Sequence, residues 1–233
     1  MRSTNEPRTD RKIVSSEAMT TTLAPVSLDG PTPHDLLWIR QIQDLVLATA
    51  LPAWACGRAP TPVVVRRERC EDPSLIPVGL RGRTRSERHV AYLPRDRVLL
   101  RVVPERLAQT QAWTRFPYFA DFSCIRALAG LAPRLDATGL TWGITGSVGF
   151  ALATGSVAMR PDSDLDLLLR VARPMSRREA TELEATLQIF PVRIDVQVDT
   201  SRGAFALSEW ASGRRRVLLK TNGGPILVDD PWQ

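Results

Sequence analysis

Asp164 and Asp166 stand two residues apart at the head of the apolar run Leu167-Leu168-Leu169. Side chains at i and i+2 of a β-strand share a face, so the two carboxylates are expected to point the same way. Two close carboxylates repel unless a cation sits between them, and hard oxygen ligands suit a divalent ion such as Mg²⁺ that also holds phosphates. The bland alternative is an Asp-rich turn opening a strand. Upstream, 141–145 reads as a short strand running into Gly146-Ser147, with 148–153 able to open a helix. A Gly-Ser turn at a strand end lets backbone N–H groups approach an anion closely. Downstream, Val192, Ile194, Val196 and Val198 alternate with Arg193, Asp195 and Gln197. Asp195 is therefore a candidate third carboxylate on a neighbouring strand, against the alternative of an ion pair with Arg193.

The elements that must position these residues are legible as patterns. Residues 117–139 carry Phe119, Phe122, Ile125, Leu128, Ala132 and Leu135 at helical spacing, closed by Gly139, and predict a helix behind the catalytic sheet. Ser176-Arg177-Arg178-Glu179 is a capping box, and Leu183, Leu187 and Phe190 extend the helix between the two aspartate-bearing strands. Asn222-Gly223-Gly224 between 217–219 and 226–228 predicts a hairpin. Nearer the N-terminus, the spacing of Leu36, Leu37, Ile39, Ile42, Leu45, Val46 and Ala50 predicts an amphipathic helix over 33–50 that ends before Pro52. Short runs at 63–65 and 98–103 read as strands. Residues 1–30 are rich in Ser, Thr, Pro and charge without periodicity and are expected to be a disordered tail, with Met19 an alternative to Met1 as the start.

Three segments in this order, Gly146-Ser147, Asp164-x-Asp166 and Asp195, resemble the nucleotidyltransferase superfamily over roughly 142–198. Four flanking segments sharpen the resemblance: Pro33-His34-Asp35-Leu36-Leu37-Trp38; Pro77-Val78-Gly79-Leu80-Arg81-Gly82-Arg83 with Arg85 and Arg88; Arg160-Pro161-Asp162-Ser163-Asp164-Leu165-Asp166; and Gly223-Gly224-Pro225 leading to Asp230-Pro231-Trp232. Together they are similar to the phosphoribosyl-dephospho-CoA transferase family that primes the acyl-carrier protein of malonate decarboxylase. The resemblance implies an α+β fold, a nucleotidyltransferase-like mixed sheet with flanking helices, plus a small N-terminal mixed α/β domain. The expected division is a tail at 1–30, a basic domain at 31–110 and a catalytic domain at 111–233.

The resemblance also implies the chemistry. A serine of the apo acyl-carrier protein would attack 2′-(5″-triphosphoribosyl)-3′-dephospho-CoA and release diphosphate. Asp164, Asp166 and Asp195 would be catalytic and hold Mg²⁺, Gly146 and Ser147 would cradle phosphates, and Arg160 would add a phosphate contact. Asp195 is assigned by order and strand pattern alone. An NTP-dependent nucleotidyltransferase acting on a small molecule or protein would share the same core.

Composition bounds these readings. The chain has 233 residues and a formal net charge of +6, and the segment from Arg58 to Arg101 holds eleven arginines against five acids, an excess equal to that of the whole chain. Arg81, Arg83, Arg85 and Arg88 are thus candidates for binding the donor's phosphates or an acidic carrier protein. Tyr92 is the only aromatic residue in that segment, which disfavours a nucleic-acid binder, because such proteins interleave stacking rings with charge. No run of about 18 apolar residues marks a membrane span. Cys56, Cys70 and Cys124 form no Cys-x-x-Cys pair, so a reduced, cytoplasmic enzyme is expected.

Overall fold

The computed structural model describes residues 30–56, 62–82, 84 and 86–233. The tail expected at 1–30 lies outside them except for Gly30, as do Arg58, Arg83 and Arg85. Two sheets form the protein, in keeping with the α+β expectation. The first comprises β1 (Leu36–Trp38), β2 (Val63–Val65), β3 (Leu75–Arg81), β4 (Arg88–Pro94) and β5 (Leu100–Val102) in the order β4-β3-β2-β1-β5. All its pairings are antiparallel. The second follows four helical segments and is built from β6 (Thr141–Ile144), β7 (Leu165–Arg170), β8 (Ile194–Asp199), β9 (Ala204–Ala206), β10 (Val217–Thr221) and β11 (Gly224–Val228) in the order β11-β10-β9-β8-β7-β6.

The helix expected over 33–50 is instead β1 followed by irregular chain and a 3-10 turn at Ile42–Asp44. Its start is blocked at His34, whose φ of 77° is left-handed. Leu36 pairs with both Val64 and Val102, which makes this short segment an interior strand. The apolar residues that suggested a helix still reach a core: Leu37, Ile39 and Leu45 are buried with Val63, Val65, Ile76, Val78 and Leu93. Pairing on both edges and burial outweigh the weak local preference for a helix.

The larger core lies on one face of the second sheet. Helix α1 (Pro104–Gln109) contributes Leu107 and Ala108 to it, although both precede the expected boundary at 110. Helix α2 (Ser123–Ala137) buries Ile125, Leu128, Leu131 and Leu135 there and ends before Gly139 at φ 69°. The expected stripe is present, but its first rings, Phe119 and Phe122, belong to the turns before the helix. Helix α3 (Gly146–Thr154) follows β6 directly, and α4 (Arg177–Leu187) begins at a Ser176/Glu179 capping box, as expected. Because α4 carries the chain back across the sheet, β7 and β8 run parallel within an otherwise antiparallel arrangement. The expected hairpin joins β10 to β11, with Thr221 paired to Gly224. Helix α5 (Leu207–Ala211) packs Trp210 against Phe205 and Trp232.

Alternation along β7 and β8 separates two faces. Leu165, Leu167, Leu169, Val196 and Val198 enter the larger core, leaving Asp166, Arg170, Asp195, Gln197 and Asp199 on the reverse face. The first sheet packs against that face through charge. Arg170 donates to Glu105, to Asp199 at 2.7 Å and to Thr32 at 2.9 Å, and lies 3.9 Å from Asp35. Asp35 is fully buried and accepts from Arg101 at 2.7 Å and from the Thr32 backbone at 2.8 Å. Arg67 meets the other Asp199 oxygen at 2.6 Å. His34 and Gln197 complete the seam with a side-chain hydrogen bond of 2.7 Å. Burial, then the charges of Arg67, Arg170 and Lys220, lowers the His34 pKa to about 4.

Two expectations follow from this seam. Arg170→Leu leaves Asp35, Glu105 and Asp199 short of their shared cation, and urea unfolding should show a loss of about 2–4 kcal/mol, since removing one member of a buried charge set strands the others. His34 supplies a pH dependence: its folded pKa lies below the ordinary value of 6.5, so between those two values the unfolded chain binds more protons and stability falls as pH drops. The contribution is at most ~3 kcal/mol. The slope of the unfolding midpoint between pH 6.5 and 4 should be shallower in His34→Asn, which cannot titrate and tolerates a left-handed backbone. An unchanged slope would remove His34 as its source.

Candidate active site

The site grows from the junction of β6 with α3. Ile144 pairs with Leu167, which brings the next residue, Thr145, opposite Asp166. The Thr145 amide donates to the Asp166 carbonyl at 2.9 Å, and its hydroxyl reaches the same oxygen at 3.3 Å. Gly146 then turns the chain into α3 with φ 63°. A Cβ at Gly146 would fall 1.9 Å from Oδ2 of Asp166, so glycine is required both by the backbone and by the carboxylate it faces. Ser147 sits next to it in the first turn of α3, half-buried.

The carboxylates are set by the register of β7 and β8. Asp166 is the direct partner of Asp195 in the parallel pairing, so both occupy the reverse face. Asp164 lies just before β7, half-buried, two residues ahead of Asp166. Asp195 is 47% exposed and is engaged by Arg193, Nη2 to Oδ2 at 3.0 Å. Burial, and then the like charge of Asp195, raises the pKa of Glu184 on α4.

Arg81 links this turn to the first sheet. Its Nη1 donates to the Gly146 carbonyl at 3.1 Å, and its guanidinium lies 5.4 Å from the centre of the Phe150 ring. Arg88 is its cross-strand partner. Both line a cleft of about 410 Å³ between the two sheets, together with His34, Arg66, Thr145 and Gly146. Arg160 is not gathered in: it is 79% exposed and its ion pair, at 3.9 Å, is with Asp162 in its own loop. The contributions of His34, Arg66, Thr145 and Phe150 have no signature in residue type or spacing, because they depend on how the two sheets face each other. Only the Pro33-His34-Asp35 segment drew attention to one of them.

Asp164 and Asp166 are hard oxygen donors, and the side chain missing at Gly146 lets the Asp166 carboxylate lie against the turn, so the donor set fits a divalent cation such as Mg²⁺. No three His, Cys, Asp or Glu side chains among the described residues are already drawn into a metal-binding cluster. Asp195 would have to exchange Arg193 for a cation to join them.

The cysteines Cys56, Cys70 and Cys124 are free. No helix among the described residues is long and apolar enough to cross a membrane.

Comparison with known proteins covers both sheets. Residues 32–104 match the phosphoribosyl-dephospho-CoA transferase MdcG N-terminal domain, and residues 107–231 match the C-terminal domain of the same family. The junction between the two matches falls at the start of α1. A phosphoribosyl-dephospho-CoA transferase of Azotobacter vinelandii is 47% identical over 209 residues, covering 87% of this chain and 95% of the relative. Enzymes of the same name from Pseudomonas aeruginosa and Pseudomonas putida are 43% and 44% identical, each covering 88% of this chain and 95% and 97% of their own lengths. No solved structure matches. With both halves matched and whole-length relatives at this identity, the chain belongs to the phosphoribosyl-dephospho-CoA transferase family.

Proposed function

We propose that this protein transfers the phosphoribosyl-dephospho-CoA group from 2′-(5″-triphosphoribosyl)-3′-dephospho-CoA to a serine of the apo acyl-carrier protein of malonate decarboxylase, in the cytoplasm. The observation that carries this reading is the meeting of Gly146 with Asp166, and of Asp166 with Asp195, in a chain whose relatives bear that transferase name over nearly their whole length. An NTP-dependent transferase would need the same core, but both family matches favour the CoA-type donor.

The serine Oγ attacks the α-phosphorus of the donor. A new P–O bond forms, the bond to the outer two phosphates breaks, diphosphate leaves, and the serine proton is taken up by a carboxylate or by water. Gly146 and Ser147 lie at the start of α3, where unpaired backbone N–H groups favour an anion, and would hold the donor's phosphates. Arg81 steadies that turn through the Gly146 carbonyl and, with Arg88, offers positive charge to the CoA diphosphate or to an acidic carrier surface. Asp195 is one strand further from the phosphate cradle than Asp166, about 4.8 Å in a parallel pair. It therefore acts on the acceptor side. Asp164 and Asp166 would hold Mg²⁺, with Asp195 the third candidate; when bound, the ion neutralises phosphate charge and favours ionisation of the attacking hydroxyl.

The central test is a mass gain on purified apo acyl-carrier protein after incubation with donor and Mg²⁺. Asp164→Ala and Asp166→Ala should each lower turnover at least ~1,000-fold, the scale of several kcal/mol of lost transition-state stabilisation, while circular dichroism stays native. Asp195→Asn should lower turnover more than donor affinity. Near-normal, metal-dependent turnover in the folded Asp164 and Asp166 variants would end the metal-ligand assignment.

The arginines give a separate expectation. Arg81→Gln and Arg88→Gln should raise KM for donor or carrier about 5–10-fold and flatten its dependence on salt, as expected when a charge that steers encounter is removed. Titrating each variant against carrier and donor separately identifies the ligand, and unchanged KM for both at low salt would assign these arginines to a solvated face.

A further inference from the structure

The cleft beside Gly146 has more room and more aliphatic wall than a row of phosphates needs. Its volume of about 410 Å³ lies in the range of cofactor sites. One wall is the outer face of the first sheet. Val63, Val65, Val78 and Leu80 enter the smaller core, so alternation turns Val64 and Gly79 toward the cleft, where Leu36 joins them. Val90, the register partner of Gly79, extends this wall and is 45% exposed. Ile144, Gly149 and Phe150 form the opposite wall. Phosphate oxygens would lose their water between two such walls without finding donors, whereas a flat heterocycle suits the space.

Charge and a missing hydrogen bond define the rest of the ligand. Arg66, Arg81 and Arg88 line the cleft. Arg66 donates from Nη2 to Glu68, but its Nη1 is buried and has no acceptor among the described residues. A buried N–H in that state is unfavourable, and a ligand oxygen or ring nitrogen would relieve it. Gly79 keeps the wall low: a Cβ there would touch Arg66 Cδ at 3.4 Å, so a branched side chain would displace the Arg66 arm or enter the cleft. A flat, apolar body carrying anionic groups is the chemistry of a nucleotide.

We infer that this cleft binds the adenosine 5′-diphosphate portion of the donor's dephospho-CoA, with the base between the Gly79 and Phe150 walls and the diphosphate toward the arginine rim; the identity of the nucleotide rests on the transfer proposed above. The triphosphoribosyl arm hangs from the 2′-oxygen of that same adenosine. A base held beside Gly146 therefore keeps the reacting triphosphate within two ribose rings of the phosphate cradle, and the flexible pantetheine arm is left to reach outward.

Titration calorimetry on the full chain tests this with 3′-dephospho-CoA, which lacks the reactive arm, and with AMP and 4′-phosphopantetheine as competitors. The wild-type protein should bind dephospho-CoA, AMP should displace it, and phosphopantetheine should not. Gly79→Val, which fills the wall, and Val90→Glu, which sets a negative charge on it, should each weaken binding about tenfold or more. If Gly79→Val fails to fold, Val90→Glu at its exposed position decides. No binding by the wild type, undiminished affinity in the folded variants, or displacement by phosphopantetheine in place of AMP would overturn the inference. Failure of the transfer reading looks different: dephospho-CoA would bind as expected while no mass is added to the carrier protein.

Discussion

Arg170 is the residue on which the arrangement of the two sheets depends. It sits on β7 on the same face as Asp166, four residues further along, and is shared by Glu105, Asp199, Asp35 and Thr32. Asp35 and Thr32 belong to the segment before β1, Glu105 to α1 and Asp199 to β8, so one guanidinium ties both sheets and the segment between them. With Arg67 and Arg101 included, three arginines face three carboxylates. Such a cluster is worth little over an apolar seam in net stability, but it permits few alternative registers, because every misplaced member would be an uncompensated buried charge. Its effect here is directional. It fixes the reverse face of β7 against the first sheet and thereby determines which way Asp166 and Asp195 look.

A second constraint couples the turn to the strand. Gly146 can neither carry a side chain beside Asp166 nor be replaced without strain at φ 63°. Thr145 anchors the turn through the Asp166 carbonyl. The backbone of the Gly146 turn is thus held by the residue whose carboxylate it faces. Any displacement of α3 moves the start of the helix and the Asp166 side chain together, which keeps the proposed phosphate cradle and its neighbouring carboxylate in constant relation. Arg81 extends the coupling to the first sheet through the Gly146 carbonyl.

The second sheet was largely legible in the sequence because its signals are local and agree with one another. The capping box at Ser176, the alternation through Val196 and Val198, the glycine after α2 and the Asn222-Gly223 turn each specify backbone geometry within a few residues. Strand order also accounts for the neighbourhood of Gly146, Asp166 and Asp195 once β7 and β8 are parallel, with Asp164 just ahead of β7. The first sheet was not legible in this way. Residues 33–50 have helical spacing, yet Leu36 is claimed by Val64 and Val102, partners 28 and 66 residues away. No local pattern announces a pairing at that distance. Arg66 and His34 were missed as site residues for the same reason: their importance comes from the face that the second sheet presents to them. Arg160 shows the converse, since its neighbouring motif drew it into the site while the loop turns it to solvent beside Asp162.

This division of labour explains why a nucleotidyltransferase core needs a second sheet at all. In the proposed transfer the core would offer a phosphate cradle at Gly146 and carboxylates at Asp164, Asp166 and Asp195, and such features would recognise only phosphates and an accompanying metal. They do not distinguish one triphosphate from another. The first sheet contributes what they lack: an aliphatic wall at Leu36, Val64 and Val90, a shallow place at Gly79 and cations at Arg66, Arg81 and Arg88. Because the seam joins the sheets through buried charge, the wall and the cradle are held at a fixed separation. A donor bound as inferred above would be measured by the distance between its base and its reacting phosphate, which gives a physical basis for preferring a nucleotide with an added ribosyl arm to an ordinary NTP.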